Sequence, residues 1–510
     1  MEFNDQPGCF STLGKLLHRR RSSRTDWKSV GGGNTVVYHE PAGVRNVVEG
    51  VVKHNHISCG AGAEWILDPE GPPSYTSPDY LVSDAKYPLL DADIVKTIET
   101  TLDRLDTPLR DLSLKIHSYP ELAFEEKYAH KIMTDFMEEH GFKVTRHYAG
   151  LRTAWHAEFT VGKGGRVLGV NSEMDALPGI GHACGHNLIA ICGLGIAIAV
   201  KTALVAHSVA GKVIILGTPA EEGGGGKIVL LKKDAYREMD VCLMAHPAAG
   251  ALNSSSNGIT GAAQSMFIEF TGRTAHAAAA PWEGKNALDA AVVAYSAISA
   301  LRQQIKPDHR IHGVVEGSNW TANTIPDNAR LTYIVRAPNK AELTELAERV
   351  VGCFQGAAAS SGCKVKVELA PAYLDLRQNS ALAREFSINA ISRYNMTINE
   401  IGSAASTDFV SMSLHFSQVH PFNIILLFTQ GNVSYEIPSL HPLYAIPTSP
   451  NGGNHTAAFT RSAHTREAHA ATMNVTRGLA LTGFRVLFDT SFFKEVKGAF
   501  ELDKTVRGAT

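Results

Sequence analysis

The chain has no cysteine framework, no excess of charge of either sign and no apolar run at its N-terminus. Seven cysteines in 510 residues, an odd number without repeated spacing, argue against a disulfide scaffold and for a reducing compartment. A formal net charge of −2 offers no electrostatic footprint for nucleic acid or an anionic membrane. Residues 1–10 are polar and lack the apolar stretch of a secretory signal. The expected location is therefore cytoplasmic, and the Asn-x-Ser/Thr matches at Asn319 and Asn454 read as chance. Long uncharged apolar runs are missing too. Residues 188–205 come nearest, but they include Lys201 and fall short of the ~20 residues that a bilayer span needs. A buried helix is expected there.

What is present is an ordinary globular mixture, 44% hydrophobic and 19% charged, long enough for about two or three domains. Residues 1–90 read as a weakly structured extension, with Gly31-Gly32-Gly33, a proline-rich stretch over 69–78 and a basic cluster at His18-Arg19-Arg20-Arg21. From residue 91 the grammar is helical. Ile94, Ile98, Leu102, Leu105, Leu109, Leu112 and Ile116 recur at spacings of three and four, and Pro120 ends the pattern. A second helix is expected over 125–140, stopped by Gly141. Strands at 167–170, 212–216 and 241–245 then alternate with helices, the pattern of an α/β layered domain.

Between residues 258 and 370 the order changes. Strands are expected at 266–270, 311–316, 329–336 and 364–369, with helices at 286–305 and 340–359. That βαββαβ order is a ferredoxin-like module inserted in the larger domain. The expected organisation is an extension (1–90), a catalytic domain in two parts (91–257 and 371–510) and the inserted module (258–370). After Pro371 helices and loops are expected.

Chemistry concentrates at three places. The first is Glu173-Met174-Asp175-Ala176-Leu177-Pro178-Gly179-Ile180-Gly181-His182-Ala183-Cys184-Gly185-His186-Asn187, a loop between a strand and a helix. Cys184 and His186, one glycine apart, can reach one metal or two adjacent ones, and thiolate with imidazole suits zinc, cobalt, nickel or manganese. Asp175 reads as a carboxylate that orients a ligand imidazole. The second is Thr218-Pro219-Ala220-Glu221-Glu222, followed by four glycines. Of two adjacent carboxylates on a loop, one can bind metal while the other takes a proton from water acidified by it. The third is His246, placed at the end of an apolar strand. Each alone has a bland structural explanation; their joint order, Cys/His, then Glu-Glu, then His, is specific.

These residues resemble the aminoacylase-like family of co-catalytic metallopeptidases and amidohydrolases. The resemblance is to the branch containing β-alanyl-lysine dipeptidase-like and p-aminobenzoyl-glutamate hydrolase-like enzymes, and runs from about Ile94 to Phe500. His117-Ser118-Tyr119-Pro120-Glu121-Leu122-Ala123-Phe124-Glu125-Glu126 is similar to its opening motif, and His182-Ala183-Cys184-Gly185-His186-Asn187 to its metal loop. The resemblance implies an α/β zinc-peptidase-type catalytic domain, a mixed sheet flanked by helices, with two divalent metal ions: zinc, or manganese, cobalt or nickel. Cys184, His186, Glu222 and His246 match ligand positions, and Glu221 matches the general base that activates metal-bound water. In Asn454-His455-Thr456-Ala457-Ala458-Phe459, His455 matches the last ligand, with His441 as the alternative.

The inserted module matches the family's lid and dimerisation domain, which implies a homodimer. His276, in Gly272-Arg273-Thr274-Ala275-His276-Ala277, matches a residue that helps stabilise the oxyanion, often across a dimer. Asn323 and Arg336 match positions that hold substrate carbonyl and carboxylate groups. The implied reaction is hydrolysis of a dipeptide or N-acyl amino acid amide bond, with no nucleic-acid or membrane partner. The rival reading is a catalytically silent homologue acting as a dimeric binding or scaffold protein. A nucleotide-binding reading of residues 223–226 lacks a Lys-Ser/Thr in P-loop register.

One departure from the branch is plain. Ser406-Thr407-Asp408-Phe409 is separated from Gly431-Asn432-Val433-Ser434 by an apolar segment, residues 410–430, where the family text runs straight on. A retained intron translated in frame is our hypothesis for it, and a surface loop the alternative; spliced transcripts that never skip the segment would sink the first.

Overall fold

The computed structural model describes residues 89–258, 260–399 and 430–506. The expected N-terminal extension with its basic cluster, and the 410–430 insert, lie outside the described residues apart from Leu89, Leu90 and Gln430.

The opening helix, Ala92–Ser118, buries all seven of the periodic apolar residues from Ile94 to Ile116. Their spacing puts them on one face, and Asp91 caps the start by accepting the Asp93 amide at 2.8 Å. This helix and Arg466–Phe488 both pack against His186–Ala206. The latter is long and apolar enough to cross a membrane by composition, yet 83% of its apolar window is buried inside the protein. It is the core helix expected.

The first half of the chain supplies β1 (Lys143–Arg146), β2 (Trp155–Val161), β3 (Arg166–Glu173), β4 (Gly211–Thr218), β5 (Val241–Leu243), β6 (His246–Ala249) and β7 (Ser254–Ser256). The middle supplies β8 (Ala262–Thr271), β9 (Arg310–Glu316), β10 (Asn328–Ala337) and β11 (Lys364–Leu369). The last part adds β12 (Thr397–Asn399), β13 (Ser439–Leu440) and β14 (Leu443–Ile446). The large sheet has the order β1-β2-β4-β3-β5-β13 and is mixed. β3 runs parallel to β4 and β5, whereas β2 is antiparallel to β4. The carboxyl ends of β3, β4 and β5 therefore share one edge, where open α/β sheets place their sites.

The four middle strands form a separate antiparallel sheet of order β11-β8-β10-β9, with helices Ala287–Leu301 and Lys340–Ser361 in the expected βαββαβ sequence. Alternation decides its faces. Met266, Ile268 and Phe270 of β8 and Leu331, Tyr333 and Val335 of β10 join the two helices in one core. On the other face Ala263 and Ile334 pack with Ile228 and Tyr373.

Three expectations are corrected. His246 does not end the 241–245 strand; β5 stops at Leu243 and His246 opens β6, paired with Leu443. The helix expected over 286–305 ends at Leu301 and finishes as a 3-10 turn, Arg302–Gln304. The region after Pro371 holds strands as well as helices, and β12, β7, β14 and β6 make a third sheet. Strands of three or four residues are too short to show a period of two.

Candidate metal centre

Four segments deliver the site. The stretch after β3 carries Asp175, Cys184 and His186; the turn after β4 carries Glu221 and Glu222; β6 begins with His246; and His455 precedes a short helix, Ala457–Ser462. Gly185 caps the core helix at φ +76°, and a Cβ there would sit 2.6 Å from Pro247 Cγ. Only glycine takes that conformation in that space, so the two flanking candidates emerge side by side.

Among the described residues, three groups of ligand-type atoms, each within 4.8 Å, meet here: Cys184 with His186 and His246, Cys184 with Glu222 and His455, and Glu173 with His186 and Glu221; a fourth, Asp308 with His309 and Glu342, lies in the inserted module. Cys184 Sγ lies 3.3 Å from His246 Nε2. His455 Nε2 is 3.4 Å from Glu222 Oε1, and His186 Nε2 is 3.7 Å from Glu221 Oε2 and 3.8 Å from Glu222 Oε1. Asp175 stands behind this cluster as expected of an orienting carboxylate: Oδ1 is 3.1 Å from His186 Nδ1, and Oδ2 accepts the Glu222 amide at 2.8 Å. His246 is fixed by Nδ1 against its neighbour's carbonyl, Pro247 O, at 2.8 Å. His441 belongs to none of the ligand groups; its ring lies 6.0 Å from that of His246.

The electrostatics favour positive charge at the cluster. Glu221 is 1% exposed, and neither carboxylate oxygen accepts a hydrogen bond from the described residues, a costly burial unless a cation compensates. Burial opposes a charged His186, but the hydrogen bond and charge of Asp175 outweigh it and raise its pKa well above the usual histidine value. Burial likewise opposes ionised Glu222, and His455 outweighs it, holding that carboxyl below its usual range. In the metal-free protein, burial and then Glu222 push the Cys184 thiol up, while burial, against the pull of Glu173, lowers His246 to about 4. Three imidazoles, two carboxylates and a thiol, which give up their protons as a cation binds, make a donor set that fits transition-metal cations.

The other expected residues lie elsewhere. His276 is exposed and belongs to none of the ligand groups. Its Nδ1 accepts the amides of Ala278 and Ala279 at 3.2 and 3.1 Å, and its Nε2 lies 3.5 Å from the Asn323 side-chain nitrogen. Arg336 projects from β10, with Nε donating to His312 Nε2 at 3.3 Å.

One residue that sequence reasoning did not single out, Lys227, is prominent. Lys227 forms an ion pair with Glu173, both side chains without exposure. The signal available was a lysine after four glycines, which by itself suggests only a solvated turn.

Residues 259–361 match the family model of the peptidase dimerisation domain. Over 428 residues the chain is 37% identical to the Xaa-Arg dipeptidase of Homo sapiens, covering 79% of this chain and 90% of that relative. The chain belongs to the M20 peptidase family. It is accordingly a metal-dependent hydrolase of peptide or amide bonds. It is also 30% identical over 284 residues to one of the subunits of p-aminobenzoyl-glutamate hydrolase from Escherichia coli (strain K12), covering 52% of this chain and 58% of that one. The same fold occurs in a dinuclear metal-binding M20 peptidase from Bacillus subtilis, with a TM-score of 0.55, 18% identity and coverage of 76% of this chain and 99% of that one. It occurs too in an aminobenzoyl-glutamate utilization protein from Klebsiella pneumoniae, with a TM-score of 0.57, 16% identity and coverage of 76% and 98%.

Proposed function

We propose that this M20 enzyme is a homodimeric dipeptidase holding two zinc ions, and that its substrates are dipeptides with a basic C-terminal residue. The observation that carries the reading is the convergence of Cys184, His186, Glu222, His246 and His455 around a buried Glu221. The human relative's preference, stated in its name, supports the substrate class.

Cys184, His186, Glu222, His246 and His455 would hold the cations, which supply Lewis acidity toward the amide carbonyl and toward water. Glu221 accepts no hydrogen bond from the described residues, so its carboxylate is available to take the proton of the attacking water and return it to the leaving amine. Asp175 fixes the His186 ring and the Glu222 amide together, so the two motifs keep one geometry. His276 would donate a proton from Nε2 to the carbonyl oxygen as negative charge develops, reaching the site from a second protomer. Asn323, beside it, would hold the substrate carbonyl, and Arg336 the substrate carboxylate through its planar fork.

The test is amide hydrolysis by purified, metal-reconstituted protein on a panel of dipeptides, N-acyl amino acids and aryl-glutamate amides. Chelator-sensitive turnover is expected, fastest on a dipeptide ending in arginine or lysine. Bound metal without turnover on any substrate would overturn the reading in favour of a silent binding protein.

A further inference from the structure

Glu126 lies outside the metal cluster, fully buried, and three donors from separate parts of the chain converge on its carboxyl group. Oε1 accepts the amide of Ala220 at 2.8 Å and that of Phe124 at 3.0 Å. Oε2 accepts the Thr153 hydroxyl at 2.6 Å. Ala220 is the residue before Glu221, and its backbone is left-handed, with φ +56°. That region costs a residue with a side chain about 1–3 kcal/mol and persists only where the surroundings impose it.

Here the surroundings can be named. Glu126 grips the turn at Ala220, and Asp175 grips it two residues later at the Glu222 amide, at 2.8 Å. Phe124, itself at φ +63°, packs its ring where residue 224 has no side chain. A Cβ on Gly224 would come within 2.4 Å of Phe124 Cε2, so any other residue would push the ring or the turn aside. The same segment also holds the Asp175 loop, because the Glu121 carbonyl accepts the Ala176 amide at 2.8 Å. The stretch from Glu121 to Glu126 is thus a bracket that ties the turn after β4 to the loop after β3.

We propose that Glu126 is the positioning residue of the hydrolytic base: braced by Phe124 and Thr153, it holds Ala220 left-handed and so sets the direction in which Glu221 leaves its turn. The inference rests on the reading of Glu221 as that base. Glu126 touches no reacting atom. Its work requires an acceptor for two amides and a partner for one hydroxyl, and not a negative charge. Glutamine meets that need: its carbonyl oxygen accepts both amides, and its NH2 donates to a rotated Thr153 hydroxyl.

Full-length wild type, E126A and E126Q, each reconstituted with zinc, are compared on a dipeptide ending in arginine. E126A is expected to lose about 100-fold in kcat, the scale of a 1 Å misplacement, with KM and zinc content near wild type. E126Q is expected to restore most of that loss. In the metal-free proteins, hydrogen–deuterium exchange over residues 218–224 should quicken in E126A and return toward wild type in E126Q, with the rest of the domain unchanged. E126Q as slow as E126A overturns the proposal, because a charge or a proton on Glu126 is then required. Wild-type kcat in E126A, or unaltered exchange over 218–224, overturns it equally. Should E126A fail to fold, E126Q decides alone: retained kcat and local protection uphold the proposal, and their loss overturns it. A wild-type protein that hydrolyses nothing defeats the reading of Glu221 as base, and the exchange comparison then upholds or overturns the hold on the turn by itself.

Discussion

Lys227 and Glu173 pair with each other at zero solvent exposure, and the second carboxylate oxygen of Glu173 lies 3.5 Å from His186 Nε2. Burial alone would raise the Glu173 carboxyl; Lys227, followed by His186 and His246, outweighs it and holds it at about 2. Breaking such a pair strands a charge and costs about 3–5 kcal/mol, whereas replacing both partners by apolar groups is often neutral. Lys227→Met is therefore expected to lose that much in urea unfolding, and Lys227→Met with Glu173→Leu to recover most of it. A double variant as unstable as the single one would show that the stranded charge is not the cause.

The same pair sets a pH dependence. Because the folded pKa of Glu173, about 2, lies below an unfolded value of about 4.3, its stabilisation is complete above the unfolded pKa and is lost as pH falls toward the folded one. Unfolding free energy of the metal-free protein should drop between about pH 4.3 and pH 2. The drop should be shallower in the double variant, and equal slopes would count against it.

Glu221→Gln is expected to lower kcat by about 10²- to 10⁴-fold, the usual worth of a positioned proton acceptor, with metal content unchanged. Metal analysis of the purified variant separates the roles of the two adjacent carboxylates: loss of metal would make Glu221 the ligand and Glu222 the base.

Removing metal should abolish turnover and lower the unfolding temperature, since a cation that binds only the folded chain stabilises it by mass action. Both should return on adding zinc, and Cys184→Ser should need more zinc to do so. Turnover that survives exhaustive chelation would contradict a metal centre at this cluster.

His276→Ala is expected to slow kcat without loss of metal, because His276 sits outside the ligand groups. If its Nε2 acts across a dimer, mixing His276→Ala with Glu221→Gln protomers restores activity that neither has alone, since one site of each mixed dimer is intact. A mixture no faster than its components would place His276 in its own protomer's site.

The sequence by itself determined the elements with one-sided burial. The 3–4 spacing from Ile94 to Ile116 reports a helix with a single apolar face, and β11, Lys364–Leu369, was legible to its ends. Most candidate ligands were legible because they crowd into short motifs beside strand ends, where few residue types suffice to suggest a cation. The position of His246 was not. Residues 241–245 are one apolar run, but pairing passes from Leu440, which accepts the Met244 amide, to Pro442, which accepts the His246 amide, and that switch exists only between distant segments. The Glu173–Lys227 pair, 54 residues apart, and the Thr153 and Ala220 donors gathered by Glu126 were hidden for the same reason. Periodicity and motif spacing are local, whereas the partner of a buried charge is settled by which loops the folded sheet brings together.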